Sequence, residues 1–522
     1  MLSYRSEENQ GLITKVTAIG FIALLLIYVI CIISRPTISP EIGLAFLTVD
    51  SIKSVGQALG KFLEFHEVWY RPLTFYLTNF FVFQLIDIHD IQLIKVISLF
   101  VIFLNVFITT ELAKKIFNST VIERVIIFSL IVTHPLYYSV AFEGSGIVDP
   151  IFTIFINLFL ICFIALLDDS GSKISVVSRF SGKEKWSLVG LCCFFVICTI
   201  TAQERGLAIF PMMGLLYLFY KKDEILSKKI KLESSTISVL GFSFVLFLLY
   251  MFLVYDSKGQ WTGEHYRTAF EPQYVLPNLV KSIELPFRLF FHKMGRAYDA
   301  HYDFLFNFFA SPFIAALIFF VFCAFKNGDK KEQNGIIILT IFFLCSLPIP
   351  LLFGGNSWHF YTASLYLSIL TGRAFYFLLQ LLRDKYLKAI FVVLLFILLS
   401  VSTVRGINQE LPKDSDFMKF MLMMDAALKD KTLHDVNFVP EVVYYDTGDW
   451  GSNTWPFGGQ GNLFKYVYND SKITEIALSG GKVLESEKNL CKNFVEKKIL
   501  SFGFDAKNLS WHAIKNQDYC RT

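Results

Sequence analysis

Charge is scarce in this chain of 522 residues: Asp, Glu, Lys and Arg make up 18%, against 54% hydrophobic and 16% aromatic residues. So little charge excludes an ordinary soluble domain and indicates a membrane protein with many spans. There is no phosphate-binding loop, no dinucleotide fingerprint, no H-E-x-x-H and no paired C-x-x-C, so the usual residues of nucleotide and zinc chemistry are missing. Basic runs interleaved with aromatics are absent outside short loops, which excludes nucleic acid as a partner. No segment recurs at a period of about 20–50 residues, which excludes a solenoid. Cysteine is spare wherever the chain is polar. Cys31, Cys162, Cys192, Cys193, Cys198, Cys323 and Cys345 fall in apolar runs as small hydrophobes. Only Cys491 and Cys520 lie elsewhere, both in an outward C-terminal segment, where an oxidising compartment lets them form a disulfide.

What the chain has instead is long apolar runs. A membrane span takes about 20 such residues. Runs of that kind fall at 12–34, 91–112, 121–140, 149–167, 186–202, 206–220, 236–255, 304–325, 334–353, 358–380 and 386–403. The first is too long for a cleaved signal peptide and has no small-residue cleavage pattern after it. Basic residues recur in alternate connections: Lys114, Lys115 and Arg124; Lys173, Arg179, Lys183 and Lys185; Lys221, Lys222, Lys228, Lys229 and Lys231; Lys326, Lys330 and Lys331; Arg383, Lys385 and Lys388. The connections between carry almost none, so the N-terminus is expected in the cytoplasm and the C-terminal segment outside.

Three outward regions are large: 35–90, 256–303 and 404–522. Within the first, "FYLTNFFVFQLIDIHD" is apolar but interrupted by Asn79 and Asp87, and is expected to lie flat in the membrane interface. The last begins with "SDFMKFMLMMDAALKDK", a helix capped by Ser415 or Asp416. A β-branched run, "FVPEVVYYDTG", then reads as a strand and turn, followed by the glycine-rich loop "GSNTWPFGGQGN". The expected fold is an α-helical polytopic membrane protein of about eleven transmembrane helices over 1–403, with a small α/β extracytoplasmic domain over 404–522.

Ionisable groups at membrane depth cost about 2.5–3.5 kcal/mol each and mark sites or pathways. Here they gather at the outward ends of the spans. Glu41 and Asp50 follow the first span, and His66, Glu67, Trp69, Tyr70 and Arg71 come next. His134, Glu143 and Asp149 occupy one tight turn, and Gln203, Glu204 and Arg205 form another. The second large loop adds His292, Lys293, Arg296, Asp299, His301 and Asp303, and "GGNSWHFYTAS" adds Trp358, His359 and Tyr361. Singly, each has a structural explanation: an interfacial aromatic, a snorkelling Arg, or an Asp-Pro helix start. Together, carboxylates beside Arg and His can deprotonate an acceptor hydroxyl while cations hold an anionic phosphate. A lipid-linked phosphate donor would reach such a site from within the bilayer.

Four blocks in order over residues 50–211 carry a family resemblance: "VDS" at 49–51, "HEVWYRPLT" at 66–74, "HPLYYSVAFEGSGIVDP" at 134–150 and "QERGLAIFP" at 203–211. This series resembles the GT-C superfamily of polytopic glycosyltransferases, in particular the transmembrane O-mannosyltransferases bearing tetratricopeptide repeats. The chain departs from that pattern in having a single Asp50 followed by Ser51, Gln203 in place of the family Lys, and no repeats after residue 404. These departures turn the reading away from mannose and a eukaryotic role. The modest outward C-terminal domain also resembles bacterial and phage serotype-converting O-antigen glucosyltransferases.

The resemblance implies a hexosyltransferase in a bacterial cytoplasmic membrane, with its C-terminus in the periplasm. It would move a sugar, glucose in the serotype-converting group, from a polyprenyl-phosphate (undecaprenyl) donor to a glycan or lipid-linked glycan acceptor such as O-antigen of lipopolysaccharide, with inversion. Asp50 would be the catalytic base, with Glu41 the alternative. His66, Arg71 and Arg205 would contact donor phosphate, Asp149 and Glu204 would shape the sugar and acceptor sites, and Tyr70, His134, Glu143, Arg296 and His359 would complete the binding set. No cofactor motif or metal-ligand set stands out, and a divalent cation stays open. The alternatives are a transporter or flippase of a lipid-linked saccharide, and an O-antigen polymerase or ligase.

Overall fold

The computed structural model describes residues 2–34, 52, 54–63, 72–78, 80–82, 91–134, 137, 148–169, 182–227, 233–258, 304–347, 361–410, 440–447, 463–468, 472–479, 482–483 and 499–514, with isolated positions between 422 and 433. A helix falls on each of the eleven apolar runs: α1 (Leu2–Ile33), α3 (Ile91–Phe117), α4 (Val121–Val132), α5 (Val148–Asp169), α6 (Gly182–Ala202), α7 (Ile209–Tyr220), α9 (Ser234–Lys258), α10 (Phe304–Lys326), α11 (Lys330–Ser346), α12 (Tyr361–Leu381) and α13 (Lys385–Glu410). Short helices α2 (Val55–Gly60) and α8 (Lys222–Leu226) lie between them. Among the described residues seven helical segments are long and apolar enough to cross a membrane, those starting at Gly11, Leu93, Val148, Lys183, Ser234, Tyr361 and Lys385. The chain is a multi-pass helical membrane protein, in which each spanning helix satisfies its own backbone polar groups.

Several helices start where side chains cap them. Thr120 accepts from the Glu123 N–H of α4, Asp329 from the Lys331 and Glu332 N–H groups of α11, and Asp384 from the Tyr386 and Leu387 N–H groups of α13. Each cap satisfies donors that the helix itself cannot.

Contacts far apart in sequence define two ends of the helix bundle. Residues 74, 137, 149, 202, 205 and 361 meet at one, termed the site end. Residues 111, 115, 123, 124, 168, 332 and 373 meet at the other, termed the lysine-rich end after the connections it carries.

Helix α12 is the centre. In its most apolar stretch 78% of residues are buried inside the protein, against 22% for α1 and for α9. Its neighbours α4, α10 and α11 pack around it, while α1 and α9 turn Ile19, Ile22, Leu26, Phe244, Val245 and Phe252 outward, where lipid would lie. Small residues let backbones approach. A Cβ on Gly372 of α12 would lie 2.4 Å from Ile127 of α4, and one on Gly335 of α11 would lie 2.1 Å from the ring of Phe117.

At the site end, residues 52–82 form a small cluster. Ile52, Ala58, Tyr76 and Phe80 bury one another. The flat helix expected over 75–90 is described only as a π-helical turn, Pro72–Thr78, and a turn at 80–82. Tyr76 and Phe80 there face protein rather than lipid.

The C-terminal region carries a five-stranded sheet in the order β3-β2-β1-β4-β5: β1 (Val442–Asp446), β2 (Thr474–Ser479), β3 (Lys482–Val483), β4 (Ile499–Asp505) and β5 (Ser510–Ala513). Strands β2, β1 and β4 are parallel and the edges antiparallel. The strand expected in "FVPEVVYYDTG" is β1, at the centre of the sheet. Alternate residues serve opposite faces: Val442, Tyr444, Ile476 and Leu478 on one, and Val443, Tyr445, Phe502 and Phe504 on the other. The second face packs with helix α14 (Leu463–Val467), with Trp511, and with Ile94, Ile97 and Val82 of the helical part. The sheet therefore sits against the first turns of α3.

Glu475, buried on β2, ties α14 to the sheet by accepting the backbone N–H groups of Leu463 (3.1 Å) and Lys465 (2.7 Å). Burial pushes its carboxyl up from 4.5 to about 7, against the pull of those donors and of Lys465. The folded domain thus binds a proton that the unfolded chain releases near 4.5, so its stability is highest at acid pH and falls as pH rises towards 7.

Two outcomes follow. The thermal midpoint of the C-terminal domain should drop between pH 5 and about 7, and Glu475→Gln should flatten that drop; an unchanged slope in the variant assigns the proton elsewhere. Gly335→Ala should cost about 1–3 kcal/mol through overpacking against Phe117, read as a lowered unfolding midpoint in detergent, and a wild-type midpoint would contradict the close approach.

Candidate functional site

Two short segments create the site end. Helix α5 starts at Val148, so Asp149 stands in its first turn, followed by Pro150, whose missing N–H costs nothing there. Helix α6 stops at Ala202, and Glu204–Ala208 forms a 3-10 turn that folds back on it. Gly206 is required, since a Cβ there would lie 2.4 Å from the Thr199 carbonyl. The turn presents Arg205, whose guanidinium forms a buried ion pair with the Asp149 carboxylate. In this low-dielectric setting each charge is tolerated because the other is present. A second tie comes from the π-helical turn, where the Thr74 hydroxyl donates to the Ala202 carbonyl at 2.8 Å.

Behind this pair lies a wall of aromatic and amide groups. The Tyr137 ring packs against that of Tyr361, tilted by 36° with centroids 4.3 Å apart, and its phenol donates to the Tyr361 backbone carbonyl at 3.2 Å. His134 stands edge-on to Tyr137 at 5.9 Å. Asn105 of α3 donates to the Tyr361 phenol at 3.1 Å. All four are fully buried. Asp149 lies within electrostatic reach of both phenols.

Of the residues expected in the site, the structure brings Asp149 and Arg205 into contact and buries His134 at the same end. Glu204 opens the 3-10 turn, but its side chain lies outside the described residues. Glu41, Asp50, His66, Tyr70, Arg71, Glu143, Arg296, His359, Cys491 and Cys520 also lie outside them. All seven described cysteines are unpaired and lie in helices, as expected of small hydrophobes. Among the described residues no group of three or more His, Cys, Asp or Glu could hold a metal.

Sequence reading passed over Thr74, Lys95, Asn105, Tyr137 and Asn157. Lys95 is fully buried near the start of α3, and its signal was a lysine within an apolar run. Asn105 and Asn157 are isolated amides in such runs, and nothing local names their partners.

Buried charge is also not confined to the site end. At the lysine-rich end Arg373 of α12 bonds Glu332 of α11, its Nε at 3.0 Å, and Glu123 of α4 at 2.7 Å. It also lies over the Phe117 ring at 5.4 Å. Lys115–Asp168 (2.8 Å) and Arg124–Glu111 join α3 to α5 and α4. These pairs hold five helices together where the connections are basic.

The sequence matches no protein-family model and no curated protein. Among solved structures, the fold is similar to the crystal structure of the Archaeoglobus fulgidus oligosaccharyltransferase in the apo form, with 11% sequence identity and a TM-score of 0.45. The match covers 88% of this chain and 64% of that one.

Removing one partner of the Asp149–Arg205 pair should cost about 3–5 kcal/mol, because the other is left as an uncompensated buried charge. Arg205→Met and Asp149→Leu should each lower the unfolding midpoint, and the double variant should recover most of the loss. Strictly additive losses would show that the two side chains do not interact.

Proposed function

We propose that the protein is an integral-membrane glycosyltransferase of GT-C type that moves a sugar from a polyprenyl-phosphate-linked donor to a glycan or lipid-linked glycan acceptor on the outer face of the membrane. The observation that carries this reading is the tethering of the four motif blocks to one another. Ile52, two residues beyond Asp50, packs with Tyr76 and Phe80. Thr74, which ends "HEVWYRPLT", bonds the carbonyl of Ala202, next to "QERG". Arg205 of "QERG" pairs with Asp149 of the third block. Segments spread over some 155 residues of chain are thus joined by contacts at the site end.

In the proposed reaction Asp50 takes the proton of the acceptor hydroxyl, with Glu41 the alternative base. The freed oxygen attacks the anomeric carbon on the face opposite the phosphate, and the bond from that carbon to the phosphate oxygen breaks. The configuration inverts, and the polyprenyl phosphate leaves with the electron pair. Arg71 and His66 hold the phosphate. Arg205, assigned to that phosphate by the resemblance, has its charge matched by Asp149, so it serves better in holding the turn that carries Glu204. Tyr70, His134, Glu143, Arg296 and His359 line the sugar and acceptor sites. The helical domain spans 1–403 with about eleven crossings and a cytoplasmic N-terminus, the 404–522 domain stands in the periplasm with Cys491 and Cys520 paired, and the acceptor is O-antigen.

A second reading, a transporter of a lipid-linked saccharide, is favoured by one observation. Buried polar groups run along α12 from Tyr361 through Tyr366 to Arg373, which suits a path through the membrane. Reconstituted protein supplied with radiolabelled polyprenyl-phosphate sugar and acceptor separates the two. Label should pass to acceptor, and Asp50→Asn should cut the rate more than about a hundredfold with insertion unchanged. Label that crosses the bilayer still attached to its lipid would establish the transporter instead.

A further inference from the structure

The site end and the middle of the bundle are joined by a chain of hydrogen bonds that the reaction above does not use. Asn105 donates its side-chain amide to the Tyr361 phenol (3.1 Å), and one turn on, the Thr109 hydroxyl donates to the Asn105 backbone carbonyl (2.8 Å). Thr109 accepts from the Asn157 amide (2.9 Å), and Asn157 accepts the Tyr366 phenol (3.2 Å). The chain therefore leaves α12 at Tyr361, runs down α3, crosses to α5 and returns to α12. Asn105, Thr109, Asn157, Tyr361 and Tyr366 are all fully buried. In such surroundings each bond is costly to leave unmade.

This strap has a direction. Asn157 lies eight residues beyond Asp149 on α5, about 12 Å along the helix axis. Tyr361, the first residue of α12, holds Tyr137 by a tilted ring contact and by its backbone carbonyl. Slippage of α5 past α12 would break the Asn157 bonds. It would also shift Asp149, and with it Arg205, relative to Tyr137 and His134. Each of these bonds can form at one register only, so they add a directional restraint to the interdigitated apolar packing.

We infer that Asn105 and Asn157 are positioning residues, which set the axial register of α5 against α12 and thereby hold Asp149, Arg205 and Tyr137 in one arrangement. This rests on the glycosyl-transfer reading, and it names the parts of the helical core through which that site is aligned. Neither amide touches substrate. Each acts through a tyrosine, Asn105 through Tyr361 and Asn157 through Tyr366.

The test is a double-variant cycle on the full-length protein in nanodiscs, read by thermal unfolding, by backbone hydrogen exchange and by sugar transfer from polyprenyl-phosphate donor. Asn105→Leu and Tyr361→Phe each remove one half of a bond, and the pair together leaves two apolar groups in contact. The double variant should regain much of the stability lost in Asn105→Leu. Its kcat should stay down about tenfold or more with donor KM little changed, since misplacement of the site is not repaired by apolar packing. Faster exchange over 148–153 should accompany the loss. Recovery of rate together with stability would overturn the inference and leave the bond a purely structural one. Asn157→Leu gives the second arm: wild-type kcat and exchange there would overturn it as well. If wild-type protein transfers no sugar, the glycosyltransferase reading fails on its own. Exchange over 148–153 then decides the strap, and unchanged protection in both amide variants overturns it.

Discussion

A polar group inside a bilayer has no water to fall back on, so a buried amide, hydroxyl or charge gains from a partner within the protein. Three layers of the helical core are built on such pairs. At the site end Asp149 and Arg205 neutralise each other. In the middle Asn105, Thr109 and Asn157 exchange hydrogen bonds with Tyr361 and Tyr366. At the lysine-rich end Arg373 divides its donors between Glu332 and Glu123. All three layers involve α12 or a helix one step from it, and α12 is the least apolar and the most enclosed of the membrane-length helices among the described residues. The outer helices α1 and α9 present Leu, Ile and Phe to the surroundings.

The same constraint explains where chemistry is affordable. Helix ends already carry unsatisfied N–H and C=O groups and lie nearer water, so a carboxylate or guanidinium costs less there than at mid-depth. Asp149 in the first turn of α5 also gains from the positive end of that helix. The turn bearing Arg205 is held from two directions, by Thr74 on the Ala202 carbonyl and by Gly206 lying flat against Thr199. The Asp149–Arg205 pair thus stands on short connections, fixed by the helices beneath them. The small sheet adds a cover over the start of α3, with Glu475 fastening α14 so that Phe464 can stack on Phe502 and meet Trp511 edge-on.

Much of this frame was legible in the residues. Each apolar run became a helix, the strand in "FVPEVVYYDTG" became the centre of a sheet, and the seven cysteines in apolar runs packed as hydrophobes. Asp149, Arg205 and His134 stood out because ionisable groups at span ends are conspicuous. The reading that buried polar groups cluster on one face needed correction. Glu123, Glu332 and Arg373, which nothing in the sequence singled out, meet at the opposite end. Asn105, Asn157 and Tyr137 gave still less sign, each being one polar residue among many apolar ones.

Local chemistry by itself determined that the chain is built of many apolar helices, roughly where they lie, and that Asp149, Arg205 and His134 stand out at their ends. Hydropathy and capping act over a few residues, so a single stretch of sequence contains them whole. Pairing does not. Asn105 and Tyr361 are 256 residues apart, Arg373 and Glu123 are 250, and Asp149 and Arg205 are 56. Which polar group satisfies which depends on how the helices are laid side by side, and only the packed bundle decides that.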